Sequence, residues 1–215
     1  MGTILASEMI ARLRITLLDP TPGDTWTDTD LLNALNEAQR RVCAVKLNAF
    51  RVRGFVPLVA GVHQALPAGG LIVLDFNANQ ASGRQCTKVD RSLMDAAARF
   101  YPAATQEVDA QHWIGDPVDP AAFDVVPPNT GAGQLYGLYG AVPTVIAAVG
   151  NVITLDDLYE MPLKHFVLAE CYAANTKRQD LVKATSYATS AERMLGGRAQ
   201  GEVAYAVKNG APRGT

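Results

Sequence analysis

The sequence predicts an α+β protein: an antiparallel helical bundle from the N- and C-terminal helices, an inserted small antiparallel β domain and a flexible C-terminal arm. Three observations carry this. Apolar residues recur at three- and four-residue spacing over the first 50 residues and again after Pro162. Between them the pattern changes to short apolar runs broken by Pro, Gly and Asn, as in strands and turns. No strand–helix alternation of the βαβ kind is present. The expected division is 1–50 (helical pair), 51–155 (β-rich insert with a short helix), 156–197 (second helical pair) and 198–215 (tail).

In the first helix Ile4, Met9, Ile10, Leu13 and Leu17 share a face, with Glu8, Arg12 and Arg14 on others, and Pro20, Pro22 and Gly23 end it. The second has a sharper start. Thr27 can cap it, and Asp30 lies in the acidic first turn that the helix dipole favours. Leu31, Leu35, Ala38, Val42 and Val45 then line one side, with Glu37, Arg40, Arg41 and Lys46 mostly turned outward. From residue 52 strands and turns are expected, interrupted by a short helix near "CTKVDRSLMDAAARFYP" and resuming around a Pro-Pro-Asn-Thr-Gly turn. Pro162 suits the first turn of a further helix. Leu163, Phe166, Val167, Cys171 and Ala174 form its apolar face, and Leu181, Ala184, Ala188, Ala191 and Leu195 form the next, ended by Gly196-Gly197. The polar run Asn175 to Asp180 is read as a hairpin turn in which Asp180 caps the following helix. Residues 198–215 show no periodic face and read as an arm or tail.

The 215 residues carry 19 Lys+Arg against 21 Asp+Glu, a net charge of −2, which argues against a uniformly basic nucleic-acid binder. Cys43, Cys86 and Cys171 show no metal-ligand or disulfide spacing and read as buried thiols. The N-terminus has neither signal-peptide nor membrane-span character, so the protein is expected to be made in the cytoplasm.

The sequence carries no evident catalytic constellation. His165 and Cys171, six apart on a helix, lie about 240° from each other around the axis and cannot pair. Gly131, Gly133 and Gly137 give GxGxxxG followed by a strand, so no helix N-terminus waits for a phosphate; they suit a turn. The three histidines belong to no metal motif. His112 with Asp116 and Asp119, in "HWIGDPVDP", could form a small metal-dependent site, against which stands the turn-forming habit of Asp-Pro. Arg40, Arg41 and Lys46 could touch DNA. The "TKRQD" run reads as a solvated turn.

Taken in order, four segments resemble the head-to-tail adaptor (connector) proteins of tailed bacteriophages. "LLDPTPGDTWTDTDLLNALNEAQRRVCAVKLNAF" resembles the family's opening, with Leu-Leu-Asp, a Trp and a Leu-Asn-x-Ala-Gln helix. "VDRSLMDAAARFYPA" resembles its Val-x-Arg-x-x-(Leu/Met)-Asp segment, and "DPAAFDVVPPNTGAGQLYGLYGAVPTVI" its strands around a Pro-Pro turn. "ITLDDLYEMPLKHFVLAECYAANTKRQDLVKATSYATSAERMLG" resembles its closing helices. The resemblance spans roughly residues 13–196. It implies a structural virion protein, without enzymatic activity or cofactor, at the head–tail interface. Such a protein forms a ring, usually twelvefold, below the portal, extends the DNA channel without specific DNA binding and docks the tail or nozzle protein. Another phage neck or tail-completion protein of different symmetry is the nearest alternative. Since the family's C-terminal arm reaches onto the portal, Tyr205, with Arg198 and Lys208, is the expected portal contact here.

Overall fold

A computed structural model describes residues 2–19, 25–97 and 101–210, with backbone alone at 97, 101 and 197–210. Among them are five α-helices and seven strands, in two compact units: Met1–Ala49 with Pro143–Thr215, and Phe50–Val142. The α+β class and the helical bundle built from both ends of the chain are as expected.

In the helical unit, α1 (Ala6–Leu17) buries Met9, Ile10, Leu13 and Leu17. It ends at Leu18, which adopts φ 54° and ψ 37° where glycine would cost least. Arg14, expected away from the core, is instead buried. Its guanidinium pairs with the buried Asp19 at 3.1 Å and with Asp28 at 2.6 Å. The Asp19 carboxylate also accepts from the backbone N–H groups of Thr25 and Trp26, both at 3.1 Å. Leu-Leu-Asp is therefore a stop signal: one buried leucine, one left-handed leucine and an aspartate that anchors the loop beyond.

Helix α2 (Asp28–Val45) opens on the Thr27/Asp30 capping box. Leu31, Leu35, Ala38 and Val42 are buried as their spacing demands, whereas Val45 is half exposed and Lys46, expected outside, is buried with its Nζ 5.9 Å from the centre of the Tyr159 ring. Two polar residues also face inward. Asn36 accepts from the Ile146 N–H at 2.8 Å and donates to its C=O at 3.1 Å. Gln39 accepts from the Thr154 N–H and hydroxyl at 3.2 and 2.6 Å. Residues 143–157, which bring the chain back from the β unit, are thus held on α2. They are also held by the N-terminus, through Ala6 N–H to Asn151 C=O, Ile153 N–H to Ile4 C=O and Thr3 to Asp157.

Helices α4 (Glu160–Ala173) and α5 (Leu181–Gly210) form the expected hairpin. Pro162 sits in the first turn of α4, and Asp180 accepts from the Lys183 N–H at 3.0 Å. That bond and the Lys183 ammonium keep the Asp180 carboxyl below its usual range. Ala184, Ala191 and Leu195 are buried, but Leu181 is exposed. The expected stop at Gly196-Gly197 does not occur: α5 runs through to Gly210, so 198–210 is a helical extension. Two glycines cost about 1 kcal/mol each relative to alanine, which does not offset propagation through the Ala-, Glu- and Gln-containing residues around them. The expected tail beyond Gly210, residues 211–215, lies outside the described residues.

The β unit has one sheet ordered β1-β7-β3 and one ordered β2-β6-β5-β4. The strands are β1 (Arg51–Pro57), β2 (Ala60–Ala65), β3 (Gly70–Asn79), β4 (Thr87–Lys88), β5 (His112–Gly115), β6 (Ala122–Thr130) and β7 (Gln134–Ala141). All pairs are antiparallel except β4 with β5, which run parallel; the wholly antiparallel expectation missed this because β4 is two residues long. Val56, Phe76, Trp113, Phe123, Val125 and Leu135 form the core. The short helix α3 (Arg91–Ala97) appears where the pattern broke. The Pro-Pro pair corrects another expectation: Pro127 and Pro128 lie inside β6, and the turn follows them. There Asn129 accepts from the N–H groups of Gly131 and Gly133 at 2.8 and 3.2 Å, with Gly131 at φ 91°.

Replacing Asn36 by Ala removes two hydrogen bonds and strands the Ile146 amide groups. It should cost about 2–4 kcal/mol in urea denaturation, against about 0.5 kcal/mol or less for Asn33→Ala on the exposed face. Gly196 has helical backbone and open space where a Cβ would stand, so Gly196→Ala should stabilise the chain by about 0.5–1 kcal/mol.

Candidate functional site

The candidate metal site is not assembled. His112 Nδ1 bonds the Thr87 hydroxyl at 2.7 Å, and Asp116, four residues along an extended segment, is about 13 Å away along the chain. The Asp116 carboxylate accepts from the N–H groups of Val118 and Asp119 at 2.7 and 3.0 Å, and Asp119 accepts from Ala121 at 2.9 Å. Those bonds hold the Asp116 carboxyl below its usual range, so both aspartates are committed to a turn. Among the described residues, no three His, Cys, Asp or Glu side chains come together as metal ligands.

His165 packs into the α4–α5 seam, with Nδ1 3.1 Å from the Ser190 hydroxyl and its ring edge-on to Tyr187. Burial, with the Lys164 charge, lowers its pKa. Cys171 faces elsewhere, and burial pushes its thiol up to about 12; Cys86 is pushed up to about 12 in the same way. All three cysteines are buried and none is in a disulfide. For the DNA trio, the burial of Lys46 leaves Arg40 and Arg41 without their third cation at the surface, and Arg40 lies 3.5 Å from Glu37. Gly131 and Gly133 serve the turn after β6. Gly137 lies where a Cβ would meet the Phe76 ring and the Asp75 carbonyl.

The motif residues instead hold the chain to itself. Arg91 reaches the buried Asp124 on β6 at 2.7 Å, Asp124 also meets His63 Nδ1 at 2.6 Å, and Met94 packs on Val62, Ile114 and Val126. The segment Val-x-Arg-x-x-Met thereby fastens α3 to the second sheet. Arg178, read as part of a solvated turn, donates to the carbonyls of Leu17 and Leu18 at 2.6 and 3.0 Å and caps α1 from the α4–α5 turn.

Uncommitted chemistry is at the surface. In the helical unit Ile15 and Leu18 at the end of α1 are 75% and 80% exposed, and Leu181 and Val182 are exposed at the start of α5. A shallow groove continues from Leu181 and Val182 along Thr185, Ser186, Thr189 and Ser190 to Arg193. On the β unit, Arg51, Arg53 and Phe55 alternate outward along β1, and the Phe55 ring lies 5.0 Å from Tyr136. Pattern reading missed these surfaces because it assigns apolar residues to the core; alternation along "RVRGF" was the one available signal. The side chains of Arg198, Tyr205 and Lys208 lie outside the described residues; their backbone belongs to α5. No helix among the described residues is long and apolar enough to cross a membrane.

These features define a protein whose interior polar groups are used structurally and whose free groups suit macromolecular contact. The chain belongs to the SU10 adaptor protein family, whose model matches residues 4–212; it is a bacteriophage head-to-tail adaptor family. No curated protein matches the sequence. The resemblance seen in the segment order is therefore shown, and the protein is a phage adaptor.

The thiols yield a pH prediction. Their pKa values are raised from 9.0 to about 12, so the stability they contribute is complete below pH 9 and is lost as pH rises towards 12. Denaturation midpoints should fall above pH 9, and at pH 8 the native protein should react with a thiol reagent only as it unfolds. Rapid native-state labelling of Cys86 or Cys171 would contradict this.

Proposed function

We propose that this adaptor is a structural virion protein that forms a ring, twelvefold in the form the resemblance implies, beneath the portal at the head–tail interface. There it extends the DNA channel and presents the docking surface for the tail or nozzle protein. It is made in the host bacterial cytoplasm, and genomic DNA passes it without specific binding. A wall of near-neutral charge suits that passage, since a strongly basic one would grip phosphates.

The observation that carries this reading is the length mismatch of the last helices. Helix α4 has 14 residues and α5 has 30, so α5 is about 45 Å long and α4 can flank only about half of it. The extension 198–210 is a helical lever suited to a partner. In this reading the arm reaches the portal, with Tyr205 the apolar anchor and Arg198 and Lys208 the charged contacts. Helices engage partners through such projecting faces without needing a preformed pocket.

Deleting residues 198–215 should leave the melting temperature nearly unchanged and weaken binding to the portal encoded in the same genome by about tenfold or more, measured by interferometry. Tyr205→Ala should account for a large part of that loss. Unchanged portal affinity in the deletion would remove the arm from the interface.

A further inference from the structure

The loop "DPVDP", residues 116–120, holds no metal cluster and is not used in the portal reading, yet its residues 117–120 are exposed. Asp116 accepts from the backbone N–H groups of Val118 and Asp119, Asp119 accepts from that of Ala121 just beyond the loop, and Pro117 and Pro120 fix their own φ angles. Its tip, Val118, is 89% exposed. The result is a stiff acidic finger with an apolar end, a form that loses little conformational entropy on binding.

We propose that this finger seats on the Arg51–Arg53–Phe55 edge of the β unit in a second copy of the chain. The inference rests on the ring reading above and supplies it with a lateral contact. Arg51 and Arg53 have no ion-pair partner among the described residues, and Phe55 beside them is 48% exposed against Tyr136. Charges on an edge strand also deter aggregation. That role requires no exposed phenylalanine, whereas arginine with clustered aromatic rings is the composition of interface hot spots.

Topology places the two features apart. Strand β1 is one edge of the sheet β1-β7-β3, and the finger is tied to the other edge, where the Val73 N–H on β3 donates to the Pro120 carbonyl at 2.9 Å. A cationic aromatic patch at one edge and an anionic apolar finger at the other are complementary between copies. Neither complements itself, so the contact is head-to-tail, and such contacts propagate into rings or filaments.

Charge reversal tests this in the full chain by sedimentation velocity over a concentration series. Arg53→Glu and Asp119→Lys should each weaken self-association about tenfold, while the double variant should return to within about threefold of wild type. An equal mixture of the two single variants should also associate, because alternating copies present compatible pairs. Val118→Asp, which keeps every turn bond, should weaken association without lowering the melting temperature. Rings that form regardless of these changes would overturn this contact and leave the ring reading standing. A chain that stays monomeric at every concentration would overturn self-contact, and the portal-binding experiment then judges the adaptor reading separately. Loss of duplex-DNA binding in Arg53→Glu that Asp119→Lys does not restore would assign the face to nucleic acid and overturn the proposal.

Discussion

The helical unit depends on two buried amides. Its chain leaves at Ala49 and returns at Pro143, so its halves are separated by the whole β unit in sequence, and closing so long a loop costs entropy before any contact forms. Asn36 and Gln39, three residues apart on α2, face the same way and take hold of the returning strap at Ile146 and Thr154. From there the strap meets the N-terminus and leads directly into α4. An amide suits this work better than a carboxylate, since it both donates and accepts and carries no charge to desolvate.

The same device recurs in the β unit. Gln64 holds the Val59 and Gly61 backbone, Asn79 exchanges two bonds with Ala110, and Asn129 ties Val108 to the Gly131–Gly133 turn. Each stands where the backbone leaves a regular ladder and its polar groups would otherwise be buried unpaired. Such turns keep loops in one shape.

Much of this was legible. The Thr27 cap of α2, the hairpin at Asn175–Asp180 and the change of period into the insert follow from local rules, and these govern the backbone they describe. The order of segments alone also resembles the adaptor family. Periodicity misplaced polar residues that go inward: Arg14 and Lys46 were expected outside, and the roles of Asn36, Gln39 and Asp124 were not foreseen. Their partners lie far away in sequence, beyond the reach of any local pattern. Gly196-Gly197 misled for the opposite reason, since a local stop signal was overridden by the cooperativity of a long helix. The Pro-Pro pair, expected in a turn, is accommodated within β6, and Asn129 and Gly131 shape the turn that follows.

The proposed function makes this chain an assembling part whose surfaces meet other copies and the portal. Electron microscopy of the protein alone, and mixed with the portal encoded in the same genome, tests it most directly. Rings that stack coaxially on the portal are expected, formed by the free protein or templated by that partner. Particles that show no association in either sample would contradict it.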